Sequence, residues 1–184
     1  GYINMYADLK ERVCEANKRL NKCGLAPLTW GNVSELDAQS GVFAIKPSGV
    51  SYEELTPDDI VVLNLEGSKV SGNLNPSSDT KTHFCLYRAF PGIGGVVHTH
   101  SPYAVAWAQA CRDIPALGTT HADCFHGPVP CVRALSPEEV ARDYEKNTGL
   151  TIARHFADFS INPLHVPAAL AAHTRRSEKP HADR

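Results

Sequence analysis

The chain has no apolar run near the roughly 20 residues that a membrane-spanning helix needs, and its opening stretch, GYINMYADLKERV, lacks the apolar core of a secretory leader. The expectation is a cytoplasmic protein with no membrane partner. A basic surplus is also lacking: 18 Lys and Arg stand against 20 Asp and Glu, a formal net charge of -2, so nothing points to nucleic acid. Six cysteines occur, at positions 14, 23, 85, 111, 124 and 131, without a CxxC pair or regular spacing. That excludes a cysteine-built zinc site and argues for free, mostly buried thiols over a disulfide framework. There is no internal repeat and no low-complexity linker. With 42% hydrophobic and 21% charged residues in 184, the composition is that of one ordinary globular domain with a real core.

What is present is an alternation of two periods. Tyr6, Leu9, Val13, Ala16 and Leu20 recur at helical spacing, and Gly24 follows as a stop signal. GNVSELDAQSGVFAIKPSGV alternates as two strands about a turn at residues 37–41, and DDIVVLNLEGSKVSG reads as a strand and turn, or a hairpin. NPSSDTKTHFCLYRAF opens a helix with Ser77 or Ser78 as cap and Asp79 in its first turn. GGVVHTH is a strand, and SPYAVAWAQACR is a helix capped by Ser101 with Pro102 at its first position. GPVPCV is a short strand. SPEEVARDYEKNTGLTIARHFADF begins with the capping box Ser136–Glu139 and reads as two helices broken near Gly149. Strands and helices alternate through one core, which makes an α/β domain; the strand order is not legible from this pattern.

His98 and His100 end an apolar run one residue apart. Because side chains alternate along a strand, both imidazoles emerge on one face, a start for a divalent-metal site that still needs a third ligand. Asp79 and Asp123 are the candidate carboxylates, and His83, His121 and His126 the other histidines. An exposed or hydrogen-bonded histidine pair would show the same spacing. Three loops have the composition of anion cradles: Gly31–Asn32 in TWGNVS, Lys46, Ser48 and Gly49 in KPSGV, and Ser77–Ser78 in NPSSDT. Each by itself is also a common turn. Asp123, in the polar cluster GTTHADCFHGP, is either a proton carrier beside a metal or a turn aspartate.

Taken together and in order, LTWGNVS, FAIKPSGV, PSSDTKTH, GGVVHTHSPYAVAWAQ, IPALGTTHADCFHGPVP and DYEKNTGL resemble the class II aldolase/adducin family, and SSDT resembles its L-ribulose-5-phosphate 4-epimerase branch. The resemblance covers residues 5–170. It implies a three-layer α/β fold, a central mostly antiparallel sheet flanked by helices, assembled as a homotetramer. It implies a divalent metal, most often zinc, on Asp79, His98 and His100. Contacts to a phosphosugar then fall on Gly31, Asn32, Lys46, Ser48, Gly49, Ser77 and Ser78, and Asp123 becomes the acid/base. The implied reaction interconverts L-ribulose 5-phosphate and D-xylulose 5-phosphate. The bond between carbons 3 and 4 breaks and reforms, a retro-aldol and aldol pair that needs a Lewis acid and no redox cofactor. The resemblance also implies a third histidine ligand and a tyrosine proton carrier beyond residue 170. There this chain reads AAHTRRSEKPHADR, polar and without periodicity, with His173 alone near the expected place. Residues 171–184 therefore read as a disordered tail left by truncation or a shifted frame, with an incomplete metal site as the consequence. The rival readings are a class II aldolase acting on a sugar 1-phosphate, an adducin-like module without catalysis, and an inactive fragment.

Overall fold

The spacing of Leu9, Val13 and Leu20 produces the element its period dictates, a helix α1 (Ala7–Lys22) that buries these side chains and Cys14 along one face. The computed structural model describes residues 5–124 and 126–157. Gly24, with φ +71, lets the chain leave the helix through the left-handed region that side chains with a Cβ avoid.

Five strands follow: β1 (Asn32–Asp37), β2 (Val42–Ile45), β3 (Val61–Asn64), β4 (Lys69–Ser71) and β5 (Gly95–His98). They form one sheet in the order β4-β3-β2-β1-β5, and every pairing is antiparallel. The two hairpins read from the alternation are present, β1–β2 across the turn at residues 38–41 and β3–β4 across 65–68. The central strands β2 and β3 are buried on both sides. Val42 and Ala44 point to one face and pack with Leu9, Val13, Cys14, Leu55, Ile60 and Val62. Phe43 and Ile45 point to the other and pack with Val61, Leu63 and Tyr87. Tyr87 belongs to α2 (Thr80–Ala89), so α1 and α2 cover opposite faces of the sheet. This is the expected layering of helix, sheet and helix, and its physical reason is that a central strand with apolar residues at successive positions must be covered twice.

The start of α2 differs from the sequence-based boundary. The helix begins at Thr80, and Asp79 precedes it without capping it. Ser77 organises the turn: its hydroxyl accepts from the Asp79 amide at 3.2 Å, and its carbonyl accepts from the Thr80 amide at 3.1 Å. Asp79 can therefore point its carboxylate elsewhere.

The chain divides after Pro102 into two compact units. The second contains α3 (Pro102–Gln109) from Tyr103 onward, α4 (Thr119–Cys124) and α5 (Pro137–His155). GPVPCV is not a strand: it contributes one isolated bridge, Val129 with Ile114, because Pro128 and Pro130 lack the amides a ladder needs. α4 has no counterpart in the sequence reading. The break in α5 is at Asp143 (φ -163, ψ 87) and not at Gly149, which lies buried within the helix. Asp143 Oδ1 accepts from the Lys146 amide at 3.3 Å, so the aspartate restarts the helix as a cap would. Residues 171–184 lie outside the described residues.

The capping box at the start of α5 is formed as read. Ser136 Oγ accepts from the Glu139 amide at 3.2 Å, and Glu139 returns a bond to the Ser136 amide at 2.9 Å. The Arg133 guanidinium and the Ser136 amide hold the Glu139 carboxyl down at about 2, against 4.5 for a free side chain. A depressed carboxyl contributes stability that is complete above the unfolded value and is lost as pH falls towards the folded one. Ser136→Ala removes the cap acceptor of the Glu139 amide and is expected to cost about 1 kcal/mol in urea unfolding at pH 7. Glu139→Gln should flatten the acid limb of stability between pH 4.5 and about 2; an acid limb identical to that of the parent would contradict this assignment.

Candidate active site

The site is built where β1, β5 and the start of α2 meet. Antiparallel pairing sets Asn32, the first residue of β1, opposite His98, the last of β5. Asn32 is buried, and its Nδ2 donates to Asp79 Oδ2 at 2.7 Å and to Ser77 Oγ at 3.1 Å. The same Asp79 oxygen accepts from His98 Nδ1 at 2.9 Å. An ionised carboxylate can only accept, so the proton of this bond sits on His98 Nδ1, and in the neutral ring Nε2 is the nitrogen with the lone pair. Burial alone would raise the Asp79 carboxyl; the hydrogen bond and charge of His98 and the Asn32 amide outweigh it and hold the group at about 2.

β5 stops at His98, so strand alternation does not by itself align the histidine pair. They are together nonetheless. The His100 amide donates to Leu25 O at 3.0 Å, and the His100 ring centroid lies 4.9 Å from that of His98. The Trp30 ring also lies against His100, tilted by 52° with centroids 5.7 Å apart.

The other predicted residues of this unit lie in the same neighbourhood. Gly31 directly precedes Asn32. Ser48 and Gly49 form an exposed tip, and Gly49 takes φ +75. That tip is tied to the Ser77 turn twice, by the Ser48 amide on Asn75 O at 2.9 Å and by the Ser77 amide on Lys46 O at 3.0 Å. Ser78 is beside it. Lys46 is almost wholly buried, and its ammonium donates to Val50 O at 2.5 Å and Pro47 O at 3.3 Å. Burial lowers its pKa. Asp123 is exposed on α4, in the second unit.

Of the remaining histidines, His121 is bonded to Gly127 O at 2.7 Å and His126 is exposed. His83 is fully buried, and burial takes its pKa down to about 3. Its Nδ1 lies 2.6 Å from Ser34 Oγ, which is also 2.7 Å from Tyr87 OH. This chain of three side chains beneath the site was missed in the sequence, as was Tyr52. A buried tyrosine that follows a polar loop is a weak signal that its hydroxyl has a partner there.

Among the described residues no three His, Cys, Asp or Glu side chains close into a group ready to hold a metal ion; Asp79 and His98 hold each other instead. The donor chemistry nevertheless fits zinc: one ionised carboxylate and two imidazoles, one of them oriented through its Nδ1, within one connected cluster.

The family model described as Class II Aldolase and Adducin N-terminal domain matches residues 11–173. The chain belongs to this family. A protein of Salmonella paratyphi B named L-ribulose-5-phosphate 4-epimerase UlaF is 54% identical over 159 residues, which cover 86% of this chain and 69% of that protein. Among solved structures, an L-fuculose 1-phosphate aldolase superposes with a TM-score of 0.69 at 27% identity, covering 79% of this chain and 67% of that one. The L-fuculose-1-phosphate aldolase of Thermus thermophilus does so with a TM-score of 0.64 at 27% identity, over 83% and 72%. The α/β fold and the resemblance to the epimerase branch are thus both borne out.

Proposed function

We propose that this chain is a metal-dependent L-ribulose-5-phosphate 4-epimerase, interconverting that sugar phosphate and D-xylulose 5-phosphate. The observation that carries the reading is the Asn32–Asp79–His98 cluster, formed with His100 against it and both polar loops beside it, in a chain 54% identical to a protein of that name. On this reading Asp79, His98 and His100 hold a divalent metal, zinc by ligand type. When bound, the metal supplies Lewis acidity to the substrate oxygens.

The chain's own residues do the rest. Asn32 fixes the Asp79 carboxylate, and Asp79 fixes the His98 tautomer. The hydroxyls of Ser48, Ser77 and Ser78 and the amides of Gly49 and Ser78 bind the phosphate, while the Ser48 and Ser77 amides tie the two loops together; Gly31 and Asn32 close the other side. Lys46 contributes by holding the Pro47 and Val50 carbonyls of its own loop inward, on either side of Ser48 and Gly49. Asp123 carries a proton at its carboxylate; the support for this role is its place in the TTHAD motif. The same reading makes the protein a cytoplasmic homotetramer of pentose catabolism, such as L-arabinose breakdown.

The test is incubation of the purified chain with L-ribulose 5-phosphate, with added zinc or manganese and a chelated control. Chelator-sensitive formation of D-xylulose 5-phosphate is expected. Release of free aldehyde without epimer would favour the sugar 1-phosphate aldolase reading, for which the solved neighbours speak. No turnover from folded protein would leave the non-catalytic readings standing and overturn this one.

A further inference from the structure

Tyr52 follows the 46–50 loop and is almost wholly buried, among Leu20, Ala26 and Val33. Its hydroxyl is bonded within the protein. It donates to Gly31 O at 2.5 Å and accepts from the Gly31 amide at 3.1 Å, so one phenol satisfies both polar groups of a single peptide residue. Its ring lies 4.9 Å from the Lys46 ammonium, in cation–π range. That ammonium in turn gathers the carbonyls of Pro47 and Val50, which flank Ser48 and Gly49. Tyr52 is thus bonded at one end to the Gly31–Asn32 segment and stacked at its face under the lysine that shapes the other loop. Burial pushes the phenol up to about 12, so it stays a neutral donor throughout the working range.

We propose that Tyr52 is a positioning residue that holds the Gly31–Asn32 segment and the 46–50 loop in mutual register for a phosphate-bearing ligand. This rests on the phosphate-binding reading of those loops. The geometry separates Tyr52 from an ordinary core aromatic. A core role needs only the ring, whereas both Gly31 bonds use the hydroxyl. Gly31 carries no side chain, so the Tyr52 hydroxyl is the side-chain partner of both its polar groups, and the next residue is the asparagine that anchors Asp79.

The experiment uses the full chain, inorganic phosphate as the probe, and NMR of the backbone amides. In the parent protein phosphate is expected to shift the amides of Gly31, Ser48 and Gly49 with one common saturation. Tyr52→Phe keeps the ring and removes the hydroxyl. It should weaken phosphate binding about tenfold, the equivalent of one buried hydrogen bond or slightly more, and it should speed hydrogen exchange at the Gly31 amide. Leu63→Ala, a core truncation on the opposite face of the sheet, controls for general loss of stability. It should lower the melting temperature while leaving phosphate affinity within about twofold of the parent.

Unchanged affinity in Tyr52→Phe, or a Gly31 amide as protected as before, would overturn the inference and leave the epimerase reading intact. Equal weakening by Leu63→Ala would overturn it too, by showing the effect to be one of stability alone. Absence of any phosphate response at these amides in the parent would overturn the phosphate-binding reading, and the inference with it.

Discussion

On the proposed metal-dependent reading, Asp79→Asn is expected to weaken zinc binding and to lower epimerase turnover by about a hundredfold or more. Asparagine has nearly the same shape, and its carbonyl oxygen can still accept from the Asn32 amide or from His98, so the local fold should survive. What disappears is the negative charge. In the parent that charge is maintained against partial burial by His98 and Asn32, which hold the carboxyl at about 2. Two imidazoles without an anionic partner are a poor site for a divalent cation. Loss even of an outer-sphere partner commonly costs about 10- to 100-fold in metal affinity or activity, so loss of the carboxylate itself should reach at least the upper end. Metal content by mass spectrometry after dialysis, beside turnover with zinc added back, reads both effects. Full zinc occupancy in the variant would show that the metal sits elsewhere. Occupancy lost with turnover retained would remove the metal from the mechanism.

Gly31→Ala is the second large effect, and it acts through space rather than charge. A Cβ at this position would stand 2.6 Å from the Ala26 Cβ, 2.9 Å from the His98 carbonyl oxygen and 3.1 Å from Leu20 Cδ2. Leu20 can turn aside. The His98 oxygen cannot, because it is backbone of β5 and belongs to the residue whose ring bonds Asp79. Overpacking of this kind costs roughly 3 kcal/mol, and here relief must come from a shift of β1 against β5. We expect a loss of that size in urea unfolding, accompanied by loss of activity at temperatures where the variant is still folded. Ala26→Gly in the same background removes the first clash and not the second. It should restore part of the stability and little of the activity. Parent-like stability in Gly31→Ala would mean that the strands are not packed as closely as described.

The two effects share one cause. The geometry of the candidate site and structural packing are not separable at the β1–β5 pairing, since Asn32 and His98 are register partners and also bonded to the same carboxylate. Placing the site on strand ends and a helix start, rather than on unsupported loops, is what keeps the carboxylate and imidazole within hydrogen-bond distance.

Much of this was legible along the chain because it is local. The helical period of Leu9, Val13 and Leu20, the two hairpins, and the Ser136–Glu139 box all involve residues within one or two turns of each other. Their backbone hydrogen bonds are decided by spacing and by the residue types at the ends. The order of the six motifs singled out Asp79, His98, His100 and the three loops, and with them the family. Where local signals compete, the reading failed: GPVPCV looked apolar enough for a strand, but its prolines cannot pair, and Gly149 looked like a helix end although a buried helix interior tolerates a glycine when packing requires a small residue.

Only the tertiary structure decided the rest. The strand order, the burial of His83, the inward turn of Lys46 and the two bonds of the Tyr52 hydroxyl depend on contacts between residues far apart in the chain: Asn32 with Asp79, Ser34 with His83, Tyr52 with Gly31. A residue's type states which bonds it can make. Which of them it makes is settled by what the folded chain brings within about 3 Å of it once water is gone, and no local period carries that information.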